Sequence, residues 1–230
     1  MKIRPILFNT PMVRAIREDQ KSATRRLIPE EKIKEILTSP CRVKNPDIPD
    51  ERFISLLCDL RYEKGDVLWV RETWCDPTPD QSGWPILYKA DMPMRWDADQ
   101  TEHGEAVTLW AEDYRWRPSI HMPKEAAREF LLVTDVRAER LHSMTDADYI
   151  KEGIRLTARE NECKCAWEAP GCREEPCLNR DAFEEGKYMW KFAELWDSTV
   201  RPEKMDVYGY AANPWVCTIE FERCEKPKEF

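Results

Sequence analysis

Three features of the chain predict an α+β fold. Apolar segments of strand length recur at residues 3–8, 67–74, 130–136 and 215–221. Between them lie segments with helical periodicity, the longest at 181–199. Turn chemistry separates the two kinds: Asn9-Thr10-Pro11, Lys64-Gly65-Asp66 and Asn213-Pro214. At 230 residues the chain suits one elaborated domain or two small ones. A hydrophobic content of 42% with 10% aromatics is that of a folded protein.

The first strand, 3–8, leads to a capping side chain, Asn9, with proline in the first helical turn. Met12, Val13 and Ile16 give the following helix its apolar stripe, and it runs out near Asp19. Residues 29–60 read as mainly helical, broken at Pro40, Pro46 and Pro49, with stripes of Ile33, Ile36 and Leu37, then Phe53, Leu56, Leu57 and Leu60. After the Lys64-Gly65-Asp66 turn, alternation puts Val67, Trp69 and Arg71 on one strand face and Leu68, Val70 and Glu72 on the other. Residues 75–115 are rich in Pro, Asp and Trp, with one strand at 86–90, and a loop of that size is often functional. Residues 116–123 gather Trp116, Arg117 and His121, groups that suit a pocket wall, although His121 also reads as a structural hydrogen-bonder. A strand from 130, reaching towards 141, precedes a short helix capped by Thr145 and Asp148 and stopped by Gly153. Glu152 falls in its last turn, where a carboxylate opposes the helix dipole and so invites a functional reading. In the long helix, Phe183, Met189, Phe192, Ala193 and Trp196 form the core face, and 215–221 closes the fold.

A net charge of −8 argues against a protein that coats nucleic acid nonspecifically, but leaves room for a small basic pocket. The ten tryptophans serve the core, or some serve as stacking platforms for bases. The first residues lack the apolar stretch of a signal peptide, and no apolar run approaches the ~20 residues of a membrane span, so no membrane partner and a cytoplasmic location are expected. In a reducing compartment the nine cysteines are free thiols or metal ligands rather than disulfides. Cys163, Cys165, Cys172 and Cys177 fall within fifteen residues that include Pro and Gly. They would suit a tetrahedral, structural zinc ion, four thiolates leaving no open position. Their spacing is not that of paired CxxC knuckles, and free thiols or a redox pair are the other readings.

Residues 19–26, Asp-Gln-Lys-Ser-Ala-Thr-Arg-Arg, concentrate the chemistry: Lys21, Thr24, Arg25 and Arg26. In a helical or turned segment Lys21 and Thr24 would share a face, giving a phosphate or nucleobase site that could also do nucleophilic chemistry. The plainer reading is a solvated basic helix end.

The order of elements, with these residues, resembles the ASCH domain of the PUA-like superfamily. The family motif is glycine, one residue, lysine, four residues, arginine; Lys21 and Arg26 match it, and the glycine position holds Asp19. Aspartate takes a left-handed backbone better than most residues. The segments 64–70, 145–153 and 215–221 are also similar to the family's turn and strand, short helix and last strand. The resemblance covers about half the chain. Residues 29–60, 75–125 and 155–180 are extra, and residues 116–123 are similar to ASCH-like proteins of phages and prophages. The resemblance implies one elaborated domain with a small mixed β-barrel flanked by helices. Compact members include an amidohydrolase of N(4)-acetylcytidine, whose lysine, threonine and glutamate correspond to Lys21, Thr24 and Glu152. It implies a modified nucleoside or single-stranded nucleic acid as partner. Arg25, Arg26, Arg71, Arg117 and His121 would contact it, with Trp69, Trp116 or Trp215 stacking a base. Other members are ribonucleases or RNA-binding modules. A nuclease would use Lys21, Arg26 and a carboxylate such as Glu72 or Glu152.

Overall fold

A computed structural model describes residues 1–58, 60–76, 86–92, 115–156 and 180–230, with side chains placed from 186 onward in the last segment. The elements are β1 (Ile3–Leu7), α1 (Thr10–Arg17), β2 (Ala23–Leu27), α2 (Glu30–Leu37), α3 (Pro40–Lys44), α4 (Asp50–Leu57), β3 (Val67–Arg71), β4 (Trp74–Cys75), β5 (Leu87–Tyr88), β6 (Phe130–Arg140), α5 (Asp146–Lys151), α6 (Arg180–Thr199), α7 (Met205–Tyr208) and β7 (Trp215–Cys224). The chain is mixed α+β with both parallel and antiparallel strand pairs. It divides into two compact units, the first made of Met1–Asp19, Glu63–Thr134 and Phe221–Phe230 and the second of Gln20–Tyr62 and Asp135–Glu220. No described helix is long and apolar enough to cross a membrane.

In the first unit β3 pairs in parallel with β1 and antiparallel with the start of β6, Val67 opposite Leu132 and Trp69 opposite Phe130. Paired on both edges, β3 buries Val67 to Val70 without the alternation expected of a half-exposed strand. The strand also stops at Arg71 rather than at Trp74, which belongs to the small β4–β5 pair. Val67, Trp69, Trp74, Met122 and Phe130 pack as its core, together with Phe230. The turn before β3 needs Gly65, whose φ is 87°. Buried Asp66 closes that turn, accepting hydrogen bonds from the Lys2 and Glu63 amides and from Arg4. Asn9 caps α1 as expected, accepting from the Met12 amide at 3.0 Å, and Val13 and Ile16 are buried.

In the second unit β2 pairs antiparallel with β7, and β6 flanks β7 on its other side. Neither unit closes its strands into a barrel among the described residues. Residues 30–57 form three helices separated at the expected prolines. Ile33, Ile36, Phe53 and Ile54 are buried, whereas Leu56 and Leu57, expected inside, are exposed. Helix α6 spans 180–199 as anticipated; Phe192 and Trp196 join Leu141, Tyr149, Ile154 and Val216 in the core, but Met189 is 43% exposed.

Candidate functional site

Asp19, at the position where the resembled motif has glycine, has a left-handed backbone with φ 54°. The residues that follow are neither helical nor solvated. Ala23 to Leu27 form β2, and Lys21, Thr24 and Arg25 are 4%, 2% and 6% exposed. The sharing of a face by Lys21 and Thr24, expected of a helical turn, therefore does not apply. Strand alternation instead puts Thr24 with Arg26 on one face and Ala23 with Arg25 on the other. Register with β7 sets Thr24 opposite Ile219, Arg25 opposite Thr218 and Arg26 opposite Cys217.

The partner of Lys21 comes from α5. Thr145 Oγ1 accepts from the Asp148 amide and the Asp148 carboxylate accepts from the Thr145 amide, the reciprocal cap legible in the sequence. Lys151 is the last residue of the helix, Glu152 caps its C-terminus, and Gly153, φ 91°, turns the chain away. The Ser22 amide donates to the Lys151 carbonyl at 2.8 Å, holding the start of β2 against this helix end. Lys21 Nζ then donates to the Glu152 carbonyl oxygen at 2.8 Å and to its Oε2 at 2.5 Å. An ammonium at the C-terminal end of a helix is also in the favourable sense of the helix dipole.

Arg25 fixes the other carboxylate oxygen. Its Nη1 donates to Glu152 Oε1 at 3.2 Å and its Nε to Glu139 Oε1 at 3.0 Å. Its Nη2 lies 2.9 Å from the same Glu139 oxygen but off the N–H axis, an electrostatic contact rather than a directed bond. Thr218 Oγ1 donates to Glu139 at 2.6 Å, and Arg137 ties Glu139 to Glu220, which Lys151 also holds. Glu152 is thus locked from two sides before any ligand arrives.

Burial sets the chemistry of Lys21. Removal from water pushes its ammonium below the ordinary value of 10.5, and this outweighs the opposing pull of Glu152; Arg26 and Arg25 push the same way. Burial likewise lowers Arg26 and pushes the Cys217 thiol up to about 12. Beside the pair, Arg26, Cys217 and Ile219 line a cavity of about 280 Å3 in the same unit. Thr24 shares the strand face of Arg26 and sits opposite Ile219, at the edge of that wall. A buried lysine whose charged form is disfavoured by burial, at the start of a hydroxyl-bearing strand, is an arrangement that can take a proton from an attacking hydroxyl.

The other predicted binding residues divide between the units. Arg25 and Arg26 belong to the second; Trp69, Arg71, Arg117 and His121 belong to the first. Trp69 is a core side chain there, with the Arg71 guanidinium 5.5 Å from its ring centre and Arg71 donating to the Ile120 carbonyl. Arg117 lies over Trp74 at 5.1 Å, and His121 is exposed in a short turn, Ser119–His121. Trp116 is half-buried, and Trp215 is buried with Arg140 over its ring at 4.6 Å. Glu72 is held by Arg128 through both oxygens, at 2.8 and 3.0 Å, as a structural ion pair. Cys163, Cys165, Cys172 and Cys177 lie outside the described residues, and among those described no group of acidic, His or Cys side chains is placed to hold a metal.

Glu139 and Thr218 were not singled out from the sequence; Glu139 lies in the charged second half of β6, beside Asp135, Arg137 and Arg140, where nothing local distinguishes it. Lys32, Arg61 and Tyr62, which also line the cavity, lie in or beside the segment read as a packing insertion. No protein-family model, curated protein or solved structure matches the chain.

Proposed function

We propose that the chain is an elaborated ASCH protein of the PUA-like kind that hydrolyses an acylated nucleobase, of the N(4)-acetylcytidine type, or a related small amide. The observation that carries this reading is the Lys21–Glu152 pair: a lysine buried to 4% exposure and held below its ordinary pKa, three residues before a buried threonine. In the proposed reaction Thr24 Oγ attacks the acyl carbon and its proton passes to neutral Lys21. Lys21 returns that proton to the departing amine, and water then releases the acyl group from Thr24, again with Lys21 as base. Glu152 orients the ammonium between the two steps, and Arg26 stabilises the oxygen that becomes negative.

Incubation with N(4)-acetylcytidine and a panel of acylated nucleosides tests the reading, beside Lys21→Ala and Thr24→Ala. Release of the acid by the unaltered protein and its loss in both variants is the expected result; full activity in Lys21→Ala overturns the mechanism. A second reading, a pocket that binds a base without chemistry, is favoured by one observation: Glu152 already accepts two hydrogen bonds from Lys21 Nζ. That reading requires ligand binding by the cavity with no turnover of any acylated nucleoside.

A further inference from the structure

A second cavity, of about 460 Å3, lies in the same unit as Lys21, and none of its charged residues takes part in the proposed deacylation. Its apolar wall comes from Ile33 and Leu37 of α2, Val207 of α7, and Pro214 with Trp215 where β7 begins. The Tyr208 hydroxyl accepts from the Glu30 amide at 3.3 Å and so ties α7 to α2. Four charged residues complete the lining. Glu30 and Lys34, one helical turn apart, pair with each other at 2.7 Å. Arg140 and Asp206 are left over. The Arg140 guanidinium lies 4.6 Å from the Trp215 ring centre and donates to the Asn213 carbonyl at 3.0 Å, but no described carboxylate pairs with it. The exposed Asp206 carboxylate has no hydrogen bond or ion pair among the described residues. Trp215 is 6% exposed, and its indole N–H has no acceptor. A buried donor left unpaired is unfavourable, so an acceptor brought to that wall is a gain.

Arg140 and Asp206 carry opposite charges, line one cavity and do not pair with each other. A simple anion would meet Arg140 but be repelled by Asp206, and a simple cation would meet the reverse. A ligand that carries both charges satisfies both residues. We infer that this cavity binds a small zwitterion with an apolar body, an amino acid with a large apolar side chain or a dipeptide of such residues. Its carboxylate lies at Arg140, its ammonium at Asp206 and its side chain against Ile33, Leu37 and Trp215. A guanidinium suits the carboxylate because it offers paired donors. The volume is that of a small-ligand pocket.

Calorimetric titration of the whole chain tests it, with L-phenylalanine and L-leucyl-L-phenylalanine as the two zwitterions. The controls are 3-phenylpropanoate, which lacks the ammonium, 2-phenylethylamine, which lacks the carboxylate, and glycine, which lacks the apolar body. At least one zwitterion is expected to bind roughly ten-fold or more tightly than every control. The tighter of the two identifies the source as a free amino acid or a peptide. Asp206→Asn alters an exposed side chain without partners, so the melting temperature is expected to stay unchanged while zwitterion affinity falls to that of 3-phenylpropanoate. Arg140→Gln is expected to lower it to that of 2-phenylethylamine. Binding of neither zwitterion overturns the inference, as does a control that binds as tightly as both, or zwitterion affinity unaltered in Asp206→Asn. The readout is binding at residues outside the Lys21 site. Zwitterion binding without hydrolysis of N(4)-acetylcytidine leaves the inference standing and removes the deacylase; hydrolysis without zwitterion binding does the reverse.

Discussion

Replacing Glu152 by glutamine keeps the side chain's size and removes the charge that faces a buried ammonium. Lys21 is 1% exposed in its side chain and donates to that carboxylate at 2.5 Å. Removing one partner of a buried pair costs about 3–5 kcal/mol. The loss has a ceiling, because Lys21 can shed its proton rather than stay charged and unpaired. From the ordinary value of 10.5 down to about pH 7, at about 1.4 kcal/mol per pH unit, that ceiling is roughly 5 kcal/mol. The pH dependence has a definite sign. Burial already lowers the native pKa of Lys21 while Glu152 opposes the shift, so the substitution lowers it further. Where the native lysine is neutral and the unfolded one protonated, unfolding takes up a proton and stability rises with pH. The deficit of Glu152→Gln is therefore largest near neutrality and closes by up to about 1.4 kcal/mol per pH unit, until the pH reaches the native Lys21 pKa of the unaltered protein. Urea unfolding followed by tryptophan fluorescence at about pH 7, 8 and 9 measures both quantities. The double variant Lys21→Met, Glu152→Gln should recover most of the loss. A deficit under about 1 kcal/mol at neutral pH, or one that does not change with pH, would refute the reasoning.

Three further outcomes are expected. Asp19→Val places a β-branched residue at φ 54° and should lower the melting temperature by a few degrees, corresponding to about 1–2 kcal/mol, while Asp19→Gly should not lower it. Gly209→Ala sets a Cβ 2.6 Å from the Met205 carbonyl oxygen, a backbone atom that cannot swing aside, so a loss of about 1–3 kcal/mol is expected in urea unfolding. Cys217, its thiol pushed up to about 12 by burial, should react with iodoacetamide at mildly alkaline pH at least roughly a hundred-fold more slowly than exposed Cys41, as read by peptide mass mapping.

Punctuation was the most legible part of the fold. Asn9, Gly65, the Thr145–Asp148 cap, Gly153 and Asn213 all act where their local chemistry predicts, because caps and left-handed turns depend on a few neighbouring atoms. Alternation failed for β3 because both its edges are paired and both its faces covered, which no single strand reveals about itself. Leu56 and Leu57 were misplaced for the opposite reason: α4 buries Phe53 and Ile54, and its apolar residues run past the stripe that packing uses. At the site, Lys21 and Glu152 are 131 positions apart, and only the resemblance brought them together before the fold did. Their burial was not legible, since a run containing Lys, Arg and Arg reads as solvated. The network that secures them, Arg25 with Glu139 and Thr218, depends on the β2–β7 register. No local pattern encodes that register.

The central claim is that Lys21 works as a base because burial keeps it from holding its proton firmly. The pH profile of kcat/KM for N(4)-acetylcytidine tests this most directly, measured on the unaltered protein beside Lys21→Ala. The account predicts acetate release whose kcat/KM rises with pH through a midpoint below 10.5, with no release by the Ala variant. No release at any pH, or a profile that Lys21→Ala reproduces, would contradict it.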